Sequence, residues 1–257
     1  MNLRPLSLAL TTLCLAATAQ ADKPPQTPRV LFVFAHPDDE LFVAPAIARA
    51  VRAGQDVAVV YATSGDQGPG VSSMERGSAL AIHREAEASC AMEALGVSQT
   101  SFLKLGDGTL GIAAHHPESP ARLFGYGLSS IFDGSDIDMV VTWGPDGGYG
   151  HADHRMVSAV TTQLVQAMPE GERPDLLYPG IRAGTLPPDE AMKNWAVTVP
   201  ELLDVSVEYD EADLAAAHRA AQCHESQFDE QTRQAMMPGF DQSIWQGVVH
   251  FRSAFGR

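Results

Sequence analysis

The chain has 257 residues, 45% of them hydrophobic, and a formal net charge of -15. That charge repels phosphate backbones and anionic lipid, so composition argues against a nucleic-acid-binding protein and is compatible with neutral or cationic substrates. The length and the ordinary apolar fraction suit one large α/β domain with a sizeable core.

In chain order, residues 1–21 read as a secretory signal peptide. Arg4 supplies the charged start, residues 6–17 an apolar run too short to span a bilayer, and Ala19-Gln20-Ala21 a small-x-small cleavage site. Export to the periplasm or the medium is therefore expected, with the charge becoming -16 once Arg4 is removed from -15. Residues 22–28 read as an extended leader and 29–257 as a single domain without a membrane span. Cys90 and Cys223 remain after cleavage. Cys90 falls in a helical apolar pattern, so two unpaired thiols are expected.

The apolar run 30–35 is a buried strand, followed by helical spacing over 41–53 that stops at Gly54. A strand over 57–62, a Gly/Ser-rich loop over 63–73 and an amphipathic helix over 75–95 come next. A strand at 101–105 leads to a loop over 106–120, then a helix over 121–132 and a strand over 139–143. A glycine-rich turn at 144–150 opens a helix to residue 167. Residues 175–178, 197–199 and 203–207 read as short strands, 212–228 as a late helix, and the tail beyond Met236 as irregular. This alternation predicts a Rossmann-like three-layer sandwich with a mostly parallel sheet. The polar clusters at 35–40, 63–70, 105–111 and 144–154 all follow strands, so they share one edge of that sheet, where ligands bind.

Two of these clusters carry chemistry. In Ala35-His36-Pro37-Asp38-Asp39-Glu40 the three acids suit the positive end of a helix, but helix capping leaves the preceding histidine unexplained. In Gly147-Gly148-Tyr149-Gly150-His151-Ala152-Asp153-His154 the two histidines, three residues apart, sit on one helix face. Together the clusters supply two imidazoles and a carboxylate, a donor set used by catalytic zinc and also by non-haem iron.

AHPDDE and GGYGHADH resemble the paired signatures of the PIG-L/LmbE-like de-N-acetylase superfamily, zinc hydrolases with a Rossmann-like fold. TSGDQG at 63–68, HREAE at 83–87, LGDG at 105–108 and CHESQ at 223–227 are similar to further family segments, in the family's order. The resemblance implies one Zn2+ per chain on His36, Asp39 and His154, Fe2+ or another divalent ion being chemically compatible. It implies Asp38 as general base for the water on the metal, and His151 as the electrophilic or acid group. Asp153 would hold the His151 ring, and Tyr149 would help stabilise the oxyanion. Asp66 and Arg84 sit where the family places substrate-contacting or site-supporting residues. Asp107 reads as a turn former, His115 and His116 as loop residues over the pocket, and His224 as core. Ala152 stands where proline is common. The implied reaction is de-N-acylation of an amino sugar or related small amide. The alternatives are an ester or phosphoester hydrolase, disfavoured because the matched loops lack basic residues other than histidine, and a non-catalytic carbohydrate-binding protein. Oligomeric state is not legible.

Overall fold

The computed structural model describes residues 27–188, 190 and 192–256, so the segment read as a signal peptide and nearly all of the leader lie outside the described residues. Five parallel strands form most of one sheet: β1 (Arg29–Phe34), β2 (Asp56–Thr63), β3 (Gln99–Leu105), β4 (Met139–Thr142) and β5 (Asp175–Pro179). Two antiparallel strands, β8 (Val205–Glu208) and β9 (Val248–Ser253), complete the order β3-β2-β1-β4-β5-β9-β8. β6 (Ile181–Arg182) and β7 (Val197–Thr198) pair separately.

Strand pleating divides the core between two faces. Val30, Phe32 and Phe34 of β1 enter one apolar cluster, with residues of α1 (Ala44–Arg52), α2 (Ser78–Leu95) and α5 (Glu211–Gln222). Leu31 and Val33 enter the other, under α3 (Pro120–Asp133) and α4 (Ala152–Gln166). The result is the expected three-layer α/β sandwich. Among the described residues no helix is long and apolar enough to cross a membrane.

The sequence reading fails mainly at the C-terminal end. The tail read as irregular beyond Met236 holds the end of α6 (Glu230–Phe240) and all of β9, and the earlier part of α6 carries no predicted element. Only Met237 of α6 is buried and the helix contains Pro238, so no apolar stripe announces it. Its start is set instead by the Asp229 carboxylate, which accepts the Thr232 N–H at 2.8 Å. The helix expected over 41–53 is also divided, a 3-10 turn over Asp39–Val43 preceding α1.

The cysteines are not free thiols. Cys90 on α2 and Cys223 at the end of α5 form a disulfide, because packing of the two helices brings their Cα atoms to 5.8 Å. The bond closes a loop with a sequence separation of 133. Its removal in Cys90→Ser is expected to lower stability by about 2–4 kcal/mol, visible as a lower denaturant midpoint; an unchanged midpoint would show that the bond does not form in solution.

Candidate active site

Strand order reverses between β1 and β4, which makes the crevice at their carboxyl ends the topological switch point of the sheet. The loop after β1 delivers His36, Asp38 and Asp39 to it, and the turn after β4 delivers Tyr149, His151 and His154. Gly148 enables the second approach: its φ is +69°, and a Cβ there would stand 2.9 Å from the Trp143 ring.

His36, Asp39 and His154 converge. His36 Nδ1 lies 3.3 Å from His154 Nε2, and Asp39 Oδ1 lies 3.1 Å from His154 Nε2 and 3.8 Å from His36 Nδ1. A tetrahedral zinc with bonds of about 2.1 Å separates its ligands by about 3.4 Å, so this triangle has the size that a divalent ion needs. The opposite atoms of His154 and Asp39 are hydrogen-bonded, and that of His36 faces two carboxylates. His154 Nδ1–H donates to the Gly147 carbonyl at 3.2 Å, leaving Nε2 as the free lone pair. His36 Nε2 faces Asp107 at 3.1 Å and Asp153 at 3.4 Å, which turns Nδ1 inward. Asp39 Oδ2 accepts from the Ala35 and His36 N–H groups at 2.8 and 3.0 Å and from Trp143 Nε1–H at 2.9 Å. Partners of this kind orient ligands and fix tautomers.

The charges follow the same logic. Burial lowers the His36 imidazole, but Asp107, Asp153 and Asp39 outweigh it and the ring sits well above its usual value. Asp39 is buried, yet the two histidines hold its carboxyl well below the ordinary range. Asp38 behaves oppositely. Burial, opposed by Arg84 and reinforced by Asp39, raises its carboxyl to about 6. A carboxylate of that strength is suited to taking and returning a proton near neutral pH.

Arg84 is buried. Its guanidinium donates to the carbonyls of Pro37 at 2.6 Å, Gly65 at 3.1 Å and Gly68 at 3.3 Å, and to the Asp38 carboxylate at 3.2 Å. Asp66 also joins loops together, accepting the Asp107 N–H at 2.9 Å and the Gln67 amide at 2.6 Å.

His151 caps α4 and is half-buried, its ring centroid 4.7 Å from that of His36 and 4.8 Å from that of His154. Burial and the two neighbouring histidines lower its basicity. Asp153 holds this ring through its backbone and not, as expected, through its carboxylate. Its backbone N–H donates to His151 Nδ1 at 3.2 Å, while its fully buried carboxylate accepts from Gly108 at 2.7 Å and Leu110 at 3.1 Å. With Nδ1 accepting, the neutral His151 ring carries its proton on Nε2. Tyr149 is 45% exposed, its ring 5.2 Å from His154 and 5.3 Å from Trp195. Burial and nearby carboxylates raise its phenol, which therefore keeps its proton.

Sequence reasoning missed Trp143 and undervalued Asp107. Trp143 directly follows β4 and reads as an apolar strand residue, yet it also lies flat against His154, with centroids 4.4 Å apart and planes 6° apart. Trp143→Phe keeps that stacking and deletes the donor to Asp39; titration calorimetry should show metal affinity about 10- to 100-fold weaker, and equal affinity would remove Trp143 from the support of the site. His115 lies elsewhere than expected, lining an apolar groove of about 460 Å³ between α3 and α4 with Tyr126 and Met156.

Comparison with known proteins agrees with this fold. The family described as "PIG-L: GlcNAc-PI de-N-acetylase" matches residues 31–165, just over half of the chain. Similar curated proteins include "1D-myo-inositol 2-acetamido-2-deoxy-alpha-D-glucopyranoside deacetylase" of Mycobacterium sp. (strain KMS), 40% identical over 157 residues, 54% of this chain and 50% of that one. The protein of the same name in Kineococcus radiotolerans is 33% identical over 215 residues, 72% of this chain and 56% of that one. The chain thus spans about half the length of the curated relatives it matches. Among solved structures, N,N'-diacetylchitobiose deacetylase from Pyrococcus horikoshii superposes with a TM-score of 0.64 at 18% identity, covering 88% of this chain and 83% of that one, a likeness of fold. The expected export is corrected here: the mycobacterial and Kineococcus relatives lend it no support, and the segment that suggested it lies outside the described residues.

Proposed function

The chain belongs to the PIG-L de-N-acetylase family, and from that membership we propose that residues 29–257 form one metal-dependent amide hydrolase domain acting on an N-acyl amino sugar. The observation that carries this reading is the His36–Asp39–His154 triangle with Asp38 and His151 beside it. A divalent ion held there, zinc in our reading, would supply a Lewis acid and bring the pKa of water to roughly 7.

The side chains cover the remaining needs of amide hydrolysis. Asp38 takes the proton of the attacking water as the carbonyl carbon becomes tetrahedral. His151 Nε2–H and the protonated Tyr149 hydroxyl donate to the acyl oxygen as negative charge develops on it. A neutral, weakly basic His151 is better suited to donating a hydrogen bond than to delivering a proton, so Asp38 returns its proton to the leaving nitrogen. The amine departs and the carboxylic acid remains.

The substrate class is supported by relatives named for 2-acetamido sugars and by a site bordered by Asp38, Asp39 and Asp107. Arg84 has its guanidinium turned to backbone carbonyls and Asp38, which leaves it unsuited to bind a phosphate. The test is a panel of one sugar as N-acetyl, O-acetyl and phosphate derivatives, assayed with metal-loaded protein. Preference for the N-acetyl compound is expected; faster turnover of the phosphate ester would replace this reading by a phosphoesterase.

A further inference from the structure

Resting on the assignment of Asp38 as general base, we infer that Glu40, locked by His224 and Tyr61, is the positioning residue that fixes the backbone of that base. Asp38 has φ +102°, a conformation that costs a non-glycine residue about 1–3 kcal/mol and persists only where the surroundings enforce it. Here the peptide unit joining Pro37 to Asp38 is pinned at both ends. Its carbonyl accepts from Arg84 at 2.6 Å, and its N–H donates to Glu40 Oε2 at 2.9 Å. Rotating this peptide out of place breaks a bond to a buried cation and a bond to a buried acid together.

Glu40 is not an ordinary acid of a first helical turn. It is fully buried, whereas a residue that only answers a helix dipole faces solvent. Its Oε2 also accepts the Tyr61 hydroxyl at 2.8 Å, and its Oε1 meets His224 Nε2 at 2.6 Å. A buried carboxylate is costly unless paired, and His224 is its partner. The His224 ring is itself fully buried, and its other nitrogen meets no hydrogen-bond partner among the described residues, so its bonding is directed at Glu40. Burial alone lowers this imidazole, but Glu40 outweighs burial and raises it.

The segment that brings His224 across the molecule is tied to the helix that carries Arg84. Glu87 of α2 accepts the Ser226 N–H and hydroxyl, both at 2.6 Å, and Cys90 of α2 is bonded to Cys223. Arg84, Glu87 and Cys90, spaced by three along α2, thus secure both pins of the Asp38 peptide. CHESQ at 223–227 contributes to the site through Glu40 while ligating nothing.

The test uses Glu40→Gln, His224→Gln and Tyr61→Phe in the full chain, with amide exchange at Asp38 measured beside kcat, KM and metal content. Glu40→Gln should speed Asp38 exchange by about tenfold or more and lower kcat by about 10- to 100-fold, with KM and metal content within about twofold. The loss of kcat should vanish when Asp38 is already asparagine, because Glu40 acts through it. Unchanged exchange in folded Glu40→Gln, or a loss that persists on Asp38→Asn, would overturn the inference. Should Glu40→Gln not fold, Tyr61→Phe decides it, with the same pattern at about three- to tenfold. Faster Asp38 exchange in a chain whose wild type deacetylates nothing would establish the pinned peptide and overturn the deacetylase reading instead.

Discussion

Asp38→Asn is expected to lower kcat by about two to four orders of magnitude, the contribution typical of a positioned general base. Asparagine is the right probe because it matches aspartate in size and tolerates positive φ, so the backbone at φ +102° need not rearrange. Metal content and thermal midpoint should stay near wild type, since Asp38 is outside the His36–Asp39–His154 triangle. The pH profile adds a second reading. Burial, opposed by Arg84 and reinforced by Asp39, raises the Asp38 carboxyl to about 6 in the metal-free protein, so the wild-type rate should fall on the acid side as protonation removes the base. A bound cation favours the carboxylate and moves this limb lower. The residual rate of Asp38→Asn should lack the limb. A variant with near wild-type kcat would remove Asp38 from the reaction.

His154→Gln is expected to abolish metal retention and lower activity by about three orders of magnitude or more, since Lewis-acid stabilisation contributes several kcal/mol and about 1.4 kcal/mol is tenfold in rate. His154 is a cleaner target than Asp39. Removing the Asp39 carboxylate strands three buried donors, the N–H groups of Ala35 and His36 and the indole of Trp143, each costing about 1–3 kcal/mol when unpaired. His154 gives up its Gly147 bond and its contact with Trp143, losses that a folded domain can tolerate. Elemental analysis after dialysis is the direct readout. A His154→Gln protein that keeps one ion per chain and full activity would place the metal elsewhere.

Much of the frame was legible because parallel strands buried on both faces read as apolar runs. The runs at 30–35, 57–62 and 139–143 correspond to β1, β2 and β4, and the polar clusters after them meet at one sheet edge. What was not legible depends on long-range contact. β9 lies beside β5 only because the chain returns antiparallel after α6, and nothing local in VVHFRS shows that neighbour. The Cys90–Cys223 bond follows from the packing of α2 on α5. Glu40 and His224 are 184 positions apart, and each alone resembles a cap or a core residue. The role expected of Asp153 was carried by its backbone N–H rather than its carboxylate, a distinction of side-chain direction that spacing does not contain.

The proposed site requires metal-dependent cleavage of an amide C–N bond in an acetamido sugar. Its most direct test is simultaneous quantification of acetate and free amine from N-acetylglucosamine and short chito-oligosaccharides, using metal-stripped and zinc-reloaded protein. Equal amounts of the two products are expected, absent after stripping and restored by reloading. Folded, reloaded protein that releases neither product from these or from inositol-linked acetamido sugars would contradict it.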